Sequence, residues 1–330
     1  MPAEQRPPRR VHLIAHANPA TKDVKRFRFA DTQAYLDFIR AHLPAPLRLT
    51  CSPRLLEAVE DQQRGGRRDD AARIRDLQGA LDDPDTLAIV AASGGAYVAR
   101  ILPHLDFTPL ARRGRPLWTL GFSEMTNFVN LVASYRGGRG LYWLCPNYLG
   151  WKIRPLTRAR AAFAEFWRVL PEILDGQRPS AFEQLVSGPL RGRLVSGKVR
   201  PGPVRLAGGC LSVLAAAVGG ALGRRIRPAG HWLAIEDVSE PPYRIDRHLA
   251  TLKIAGWFER VAGVLVGMFH TDGADQIDAV VELLKFHLPR ERRVPVIVTR
   301  TFGHLWPMLP VPINRALRMS VTGRQVTIAV

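Results

Sequence analysis

The sequence predicts an α/β protein of two domains, with a mostly parallel sheet flanked by helices in the N-terminal domain and a smaller α/β domain at the C-terminus. Two observations predict this class. Buried-strand patterns alternate with helical patterns along both halves of the chain, which is typical of βαβ units. The chain also has 330 residues, which exceeds the usual size of a single domain.

The first half begins with residues 1–10, a Pro- and Arg-rich stretch that we predict to be a disordered tail. VHLIAHA, which starts at Val11, follows as a short buried strand, and Asp31 is the predicted N-cap of the helix DTQAYLDFIRAHL. The next helical pattern, DDAARIRDLQGAL, places its apolar residues on one stripe. TLAIVAA, from Thr86, is a continuous apolar run of the kind found in parallel sheets.

Two polar segments follow predicted strands of this first half. SGGAY, from Ser93, comes directly after TLAIVAA and leads into a helix-like segment. PLWTLGF is another predicted strand, and Ser123 at its end is expected to cap the helix EMTNFVNLVASY. Because ligands bind at the carboxyl ends of the strands in such sheets, we expect SGGAY and GFSEMT to contribute to a ligand site.

The middle of the chain changes in character. Residues 161–202 become rich in Gly, Pro and Arg, and we predict a linker there between an N-terminal domain, 11–160, and a C-terminal domain, 203–330. The uncharged segment Leu206–Leu222 is slightly short for a membrane span, and we expect it to be a tightly packed buried helix. Strand and helix patterns alternate to the C-terminus, where a turn near Gly323 predicts a hairpin.

Composition narrows the function classes. The net charge of +18 would favour polyanions, but the excess is arginine scattered along the chain without a nucleic-acid-binding motif, so we expect no nucleic-acid partner. The three widely spaced cysteines indicate a reducing compartment, and a cytoplasmic protein without a membrane partner is expected. The histidines are dispersed and no metal-binding motif is present, so we expect neither a metal nor a cofactor.

Five ordered motifs carry a family resemblance. They are DDAARIRDLQGALDDPDTLAIVAASGGAYVARILPHLDF, PLWTLGFSEMT, RLAGGCLSVL, LAIEDVSEPPYRIDRHLATLKIAG and TFGHLWPMLPVPI. From about Val11 to the C-terminus, the chain resembles serine peptidase family 66, which contains the LD-carboxypeptidases and the microcin C self-immunity peptidases. The resemblance implies a flavodoxin- or amidotransferase-like N-terminal domain, a homodimer, and a peptide-like or aminoacyl-nucleotide small molecule as the ligand.

The resemblance also implies a triad of Ser, Glu and His, and two of its positions are substituted here. The segment SGGAYVARILP has the same length as the family's nucleophile turn and carries Val98 at the nucleophile position. Pro203 stands at the position assigned to the acid, and no acidic residue occurs between Glu183 and Glu236. His304 matches the family's His. Because valine has no acidic proton and proline cannot orient an imidazole, ordinary peptidase action is not expected.

The turn that carries Val98 is expected to differ from that of a peptidase. A β-branched residue tolerates positive φ poorly, so we predict a relaxed turn in which Tyr97 or Val98 fills space that a substrate would use. The residues expected to bind a ligand lie in this turn, after PLWTLGF and beside the histidine: Gly94, Gly95, Ala96, Tyr97, Ser123, Glu124 and Trp306.

Other residues have alternative interpretations. Ser93, Ser123 and Cys210 could act as a relocated nucleophile, although a turn serine, a helix cap and a small buried residue are the simpler interpretations. Glu236 and Asp237 also match the family motifs, and we expect them to support the fold through caps and ion pairs.

Two classes of function remain open. In the first, His304 is a general acid or base of a non-hydrolytic enzyme that acts on a peptide-like or nucleotide-peptide metabolite. In the second, His304 is a structural residue, and the protein is a catalytically inactive pseudoenzyme that sequesters such a ligand in a self-immunity or regulatory role.

Overall fold

The computed structural model describes residues 9–57, 66–175, 189–226 and 229–329, so the tail predicted over residues 1–10 lies almost wholly outside the described residues. The chain forms two compact units. Unit 1 comprises Met1–Gly121, Tyr135–Arg139 and Leu144–Glu183, and unit 2 comprises Phe122–Ser134, Gly140–Trp143 and Gln184–Val330.

The described helices and strands have the following bounds. The helices, in chain order, are α1 (Thr21–Arg26), α2 (Thr32–His42), α3 (Pro53–Glu57), α4 (Asp70–Asp82), α5 (Thr126–Ala133), α6 (Leu149–Lys152), α7 (Leu156–Leu174), α8 (Leu211–Ala215), α9 (Ala221–Ile226), α10 (Pro242–Ile254) and α11 (Ile277–His287). The strands are β1 (Arg10–Ile14), β2 (Arg48–Cys51), β3 (Thr86–Ala91), β4 (Leu117–Gly121), β5 (Gly138–Tyr142), β6 (Leu190–Ser196), β7 (Gly202–Val204), β8 (Leu206–Cys210), β9 (Trp232–Val238), β10 (Gly263–Thr271), β11 (Ala274–Asp275), β12 (Val296–Thr299), β13 (Val311–Ile313), β14 (Leu317–Thr322) and β15 (Gln325–Ala329).

Unit 1 contains a parallel sheet with the strand order β4-β3-β1-β2. Strands β1, β3 and β4 are short, mostly apolar runs that are buried on both faces, as expected for parallel strands covered by helices, whereas β2 at the edge is partly exposed. Asp31 caps α2 as predicted, because its carboxylate accepts a hydrogen bond from the Ala34 N–H over 2.7 Å. The mostly parallel N-terminal sheet flanked by helices is therefore confirmed.

Unit 2 contains a mixed sheet with the order β7-β14-β15-β6-β12-β10-β9-β8, and β11 pairs with β10. Strands β8, β9, β10 and β12 run parallel, whereas the pairs on the other side of β12 are antiparallel. The predicted C-terminal hairpin is present as β14 and β15. The carboxyl ends of the parallel strands form the edge at which a ligand site is expected.

The segment predicted as a linker, 161–202, contains regular structure at both ends. Helix α7 covers its beginning and buries Phe163, Trp167 and Leu170, while strand β6 lies near its end. The Gly- and Pro-rich composition marked a change along the chain. The apolar stripe of α7 nevertheless makes the helix part of unit 1, and β6 pairs within the sheet of unit 2.

The buried helix predicted over Leu206–Leu222 is wrong. The segment begins as strand β8 and continues as the short helix α8. The two glycines of β8 explain the difference, because a Cβ at Gly208 would lie 2.1 Å from the Ala234 carbonyl oxygen of β9. A short apolar run has no period that separates a buried strand from a helix. In the described part of the chain, no helix is both long and apolar enough to cross a membrane.

Candidate active site

A histidine–carboxylate pair lies at the carboxyl ends of the parallel strands of unit 2. Glu236 belongs to β9 and is fully buried, and His304 follows β12. His304 Nδ1 donates a hydrogen bond to Glu236 Oε2 over 2.7 Å, and the His304 backbone N–H donates to the same oxygen over 3.1 Å. Two donors from one residue therefore hold the imidazole in one orientation and in the Nδ1–H tautomer.

This pair corrects two expectations. His304 was expected to lack a carboxylate partner, and Glu236 was expected to support the fold only. Pro203, which was assigned to the acid position, lies exposed in β7 opposite Arg318 of β14 and has no side-chain acceptor. The signal that could have identified Glu236 is its place inside the apolar strand HWLAIEDV, because a fully buried carboxylate nearly always has a partner.

The glycine before His304 allows this close approach. Gly303 has φ of 121°, and a Cβ there would lie 2.9 Å from Glu236 Oε2. A side chain at this position would therefore push the backbone of residue 304 away from the carboxylate. The Gly-His sequence thus has a physical basis in the geometry of the pair.

The second oxygen of Glu236 is also occupied. The Tyr142 hydroxyl donates to Glu236 Oε1 over 2.5 Å, and the Ser123 N–H donates to the Tyr142 oxygen over 3.3 Å. Burial, and secondly the charge of Glu236, raises the pKa of Tyr142 well above its usual value, so the phenol remains a donor at neutral pH. The pair is also flanked by aromatic rings, with Phe122 4.9 Å from the imidazole, centroid to centroid.

Cys210 lies close to the pair but is a poor nucleophile. Its side chain is buried, and its thiol donates to Asp237 Oδ1 over 3.3 Å. Burial, followed by the charges of Glu236 and Asp237, raises the pKa of the thiol well above its usual value. Asp237 accepts from the Ser212 N–H over 2.7 Å and from the Val238 N–H over 2.9 Å, which confirms its expected role in supporting the fold.

Ser123 does not cap a helix by its side chain, contrary to the prediction. It has φ of 58°, in the left-handed region, and its carbonyl oxygen accepts from Thr126 Oγ1 over 2.6 Å. Its backbone N–H makes the contact with Tyr142 described above. Hydrogen bonds therefore connect the Ser123 backbone to Glu236 through the Tyr142 hydroxyl. Glu124, the next residue, is buried.

In unit 1, the turn after β3 carries Val98, whose side chain is fully buried. The Val98 carbonyl oxygen accepts from the Ile101 N–H over 3.0 Å. The predicted relaxed turn is wrong at Tyr97, which has φ of 72°, whereas Val98 itself avoids positive φ as expected. A non-glycine residue in this region costs about 1–3 kcal/mol, which surrounding contacts must offset.

Contacts within unit 1 hold Tyr97 in this conformation. The buried Arg73 side chain donates to the Tyr97 carbonyl oxygen over 3.2 Å, and the Arg100 guanidinium lies 4.8 Å from the centroid of the Tyr97 ring. The ring also covers Gly66, where a Cβ would lie 2.2 Å from Tyr97 Cζ. Tyr97 is therefore held through its backbone carbonyl group and through its ring, in each case by residues of unit 1.

Gly66→Ala is expected to destabilise the protein by about 2–3 kcal/mol, because the new methyl group overlaps the Tyr97 ring and φ at Gly66 is 75°. In a Tyr97→Ala background the same change should cost only the backbone part, about 1–2 kcal/mol. Urea unfolding of the four proteins measures this coupling. Gly114→Ala, where a Cβ meets nothing within 4 Å, is the control, and equal costs in both backgrounds would contradict the contact.

The polar residue at the start of the turn has a structural partner. The Ser93 hydroxyl donates to Asp23 Oδ2 over 2.6 Å, and Asp23 also accepts from Asn147 Nδ2 over 3.1 Å and from Trp151 Nε1 over 2.9 Å. Burial raises the pKa of Asp23. These bonds anchor Ser93 as a turn residue and agree with the simpler of its two interpretations.

The other residues expected to bind a ligand have differing exposure. Gly94 and Ala96 are partly exposed, and Gly95 is exposed with Asn18 packed where its Cβ would lie. Trp306 is partly exposed in unit 2, close in sequence to His304.

Comparisons with known proteins match both halves of the chain. The LD-carboxypeptidase N-terminal domain matches residues 11–142, and the LD-carboxypeptidase C-terminal domain matches residues 204–319. A carboxypeptidase homologue of Streptomyces coelicolor is 31% identical over 94% of this chain and 90% of its own. The murein tetrapeptide carboxypeptidase of Pseudomonas aeruginosa is 32% identical over 60% of each chain.

Solved structures share the fold. The microcin C7 self-immunity protein bound to glutamyl sulfamoyl guanosine superposes with a TM-score of 0.67 at 17% identity, over 98% of this chain and 97% of that chain. The muramoyltetrapeptide carboxypeptidase of Oxalobacter formigenes gives a TM-score of 0.61 at 19% identity, over 97% and 99%. An MccF-like protein from Streptococcus pneumoniae, bound to AMP, gives 0.65 at 19% identity.

Proposed function

Because the chain belongs to the LD-carboxypeptidase family, we propose that it is a non-hydrolytic enzyme in which His304 acts as a general acid–base on a peptide-like or aminoacyl-nucleotide ligand. The observation that carries this proposal is the hydrogen bond from His304 Nδ1 to the buried Glu236. It leaves Nε2 as the basic nitrogen of the neutral imidazole, which is the arrangement a general base requires.

The absence of a hydroxyl at position 98 supports a route without an acyl-enzyme. We infer from the resemblance that Val98 occupies the position of the family's nucleophilic serine, and its side chain is fully buried. An aliphatic group cannot lose a proton to His304 or form an ester. An isomerisation by proton transfer needs a held base and no side-chain nucleophile, and in a cyclisation or condensation the attacking amine belongs to the ligand and water leaves.

The ligand class in this proposal follows from the relatives. One relative is named for murein tetrapeptide, and neighbours in the fold are solved with aminoacyl sulfamoyl nucleosides or AMP. The murein peptide and the aminoacyl sulfamoyl nucleosides share an acyl or amide group beside a polar or charged portion, and AMP matches the nucleotide portion alone. We infer that the ligand of this protein belongs to the same chemical class.

The test is conversion of murein tetrapeptide and aspartyl sulfamoyl adenosine by the purified protein in D₂O, followed by mass spectrometry. We expect no release of the terminal amino acid, and a product of equal or dehydrated mass or one that has gained deuterium. His304→Gln should abolish this conversion and leave the Kd of the ligand nearly unchanged, because the imidazole acts on a proton.

Two outcomes would overturn the proposal. A fluorophosphonate probe that labels the wild-type protein at any serine, with release of the terminal amino acid, would show a working serine peptidase. Binding of either ligand by calorimetry without conversion, unaffected by His304→Gln, would instead favour the second candidate function, a pseudoenzyme that sequesters the ligand. Ser93, bound to Asp23, is the residue of the turn at which labelling would be most informative.

A further inference from the structure

We propose that Tyr142 is a positioning residue for the Glu236–His304 pair. Its hydroxyl donates a hydrogen bond to one carboxylate oxygen of Glu236, so that the other oxygen faces the imidazole. The inference rests on the proposed function in that His304 is the base. It goes further by assigning control of that base to a tyrosine from a different strand, β5.

The geometry of Glu236 carries the argument. Its two oxygens have separate partners: Oε1 accepts from the Tyr142 hydroxyl over 2.5 Å, and Oε2 accepts from the side chain and backbone of His304. Glu236 and Tyr142 are both fully buried, so water does not compete for either oxygen. A buried carboxylate with one oxygen unpaired would turn toward a shared donor, and Tyr142 removes that freedom.

Tyr142 is itself held on several sides. The Ser123 N–H donates to its oxygen over 3.3 Å, and the Phe302 ring lies 5.3 Å from its own, centroid to centroid. Gly209 of β8 leaves the room for the ring, because a Cβ there would lie 2.5 Å from Tyr142 Cε2. Contacts with Ser123, Phe302 and Gly209 therefore fix the position of the Tyr142 ring and hydroxyl. The hydroxyl in turn orients the Glu236 carboxylate through its hydrogen bond.

The contact also bears on the strength of the base. A hydrogen bond donated to a carboxylate stabilises its negative charge and draws that charge away from the imidazolium. Cys210, at the end of the neighbouring strand β8, and Asp237, the next residue of β9, also interact with the charge of Glu236, and neither donates a hydrogen bond to it. Tyr142 is thus the group that holds down the basicity of the pair.

Tyr142→Phe removes only the hydroxyl, so the ring packing is kept. We expect the pKa of His304, followed by NMR titration of its ring protons, to rise by up to about one unit, because the charge on Oε2 is no longer shared. The His304 signals are identified by their loss in His304→Gln. Where turnover is measured, its pH dependence should shift upward by the same amount, and kcat should fall more than KM changes.

Tyr35→Phe is the matched control. Tyr35 is equally buried and donates to a side-chain oxygen, Asn147 Oδ1, over 2.9 Å, but it belongs to unit 1. It should lower the unfolding midpoint about as much as Tyr142→Phe while leaving the His304 titration unchanged. A folded Tyr142→Phe protein with an unchanged His304 pKa, or an equal shift in Tyr35→Phe, would overturn the positioning role. Absence of turnover in the wild type would overturn the proposed function alone, because the titration needs no substrate.

Discussion

Glu236→Gln is expected to reduce turnover by about 10⁴-fold while preserving the shape of the side chain. The carboxylate of Glu236 accepts from Tyr142, from His304 Nδ1 and from the His304 backbone N–H. An amide has one oxygen and one NH₂ group. The NH₂ group of the introduced glutamine would therefore point at a hydrogen-bond donor, either the Tyr142 hydroxyl or the His304 N–H groups. If the amide oxygen stays with Tyr142, the imidazole must accept through Nδ1 and carry its proton on Nε2, where it cannot act as a base.

The tautomer can be read directly. Long-range ¹H–¹⁵N correlation spectra should show a protonated Nδ1 in the wild type and a protonated Nε2 in Glu236→Gln. The variant should also lose about 2–4 kcal/mol of unfolding free energy, because buried donors are left without an acceptor.

A matched variant exists in the segment that follows β9. Glu240 has a side chain that is partly exposed, and its nearest basic side chains are Arg244 at 3.7 Å and His248 at 3.9 Å. Glu240→Gln should change stability by no more than about 1 kcal/mol and should leave the His304 tautomer unaltered. If Glu236→Gln behaved in the same way, Glu236 would have no part in orienting the imidazole.

The elements that the sequence predicts well are those whose pattern needs little help from distant residues. Helices α2 and α4 have apolar residues spaced at the helical period, and α2 has a capping aspartate, so local interactions are enough to predict them. Strand β8 lacks such a signal. Gly208 is required by the backbone of β9 and Gly209 by the side chains of Tyr142 and Thr126, so both glycines are explained by residues outside their own strand.

The candidate site depends on residues that are distant in sequence even more than β8 does. His304 and Glu236 are 68 positions apart in the sequence, and they meet because β9 and the segment after β12 share one edge of the sheet. A sequence pattern can predict that a site lies at that edge, but it cannot predict which carboxylate along the edge will bind the histidine. The family resemblance places Pro203 at the acid position, whereas the fold brings Glu236 to the imidazole.

Tyr97 illustrates a tertiary override of a local rule. The sequence predicts a relaxed turn because the β-branched Val98 tolerates positive φ poorly, yet the positive φ falls on Tyr97, which also disfavours it. The hydrogen bond from Arg73 and the packing on Gly66 together outweigh the cost of the positive φ at Tyr97. The conformation of this turn therefore depends on Arg73 of α4, which lies in the first family motif but is assigned no role there.

Arg73→Ala should therefore be among the most damaging changes in unit 1, with an expected loss of about 3 kcal/mol of unfolding free energy. The Arg73 side chain is fully buried, lies 3.2 Å from Asp69, and also pairs with Asp70. It donates to the carbonyl oxygens of His16 over 2.7 Å and of Tyr97 over 3.2 Å. Removing it leaves both carbonyl groups without this donor and releases the turn that carries Val98.

Arg75→Ala on the same helix separates this effect from a general loss of positive charge. Arg75 is exposed, so its removal should alter stability by less than about 0.5 kcal/mol. Urea unfolding gives the two free energies, and amide hydrogen exchange at residues 97–101 reports on the turn itself. Exchange should accelerate in Arg73→Ala and stay at the wild-type rate in Arg75→Ala. Equal protection in both variants would show that Tyr97 keeps its left-handed conformation without Arg73, and that the packing on Gly66 alone is sufficient.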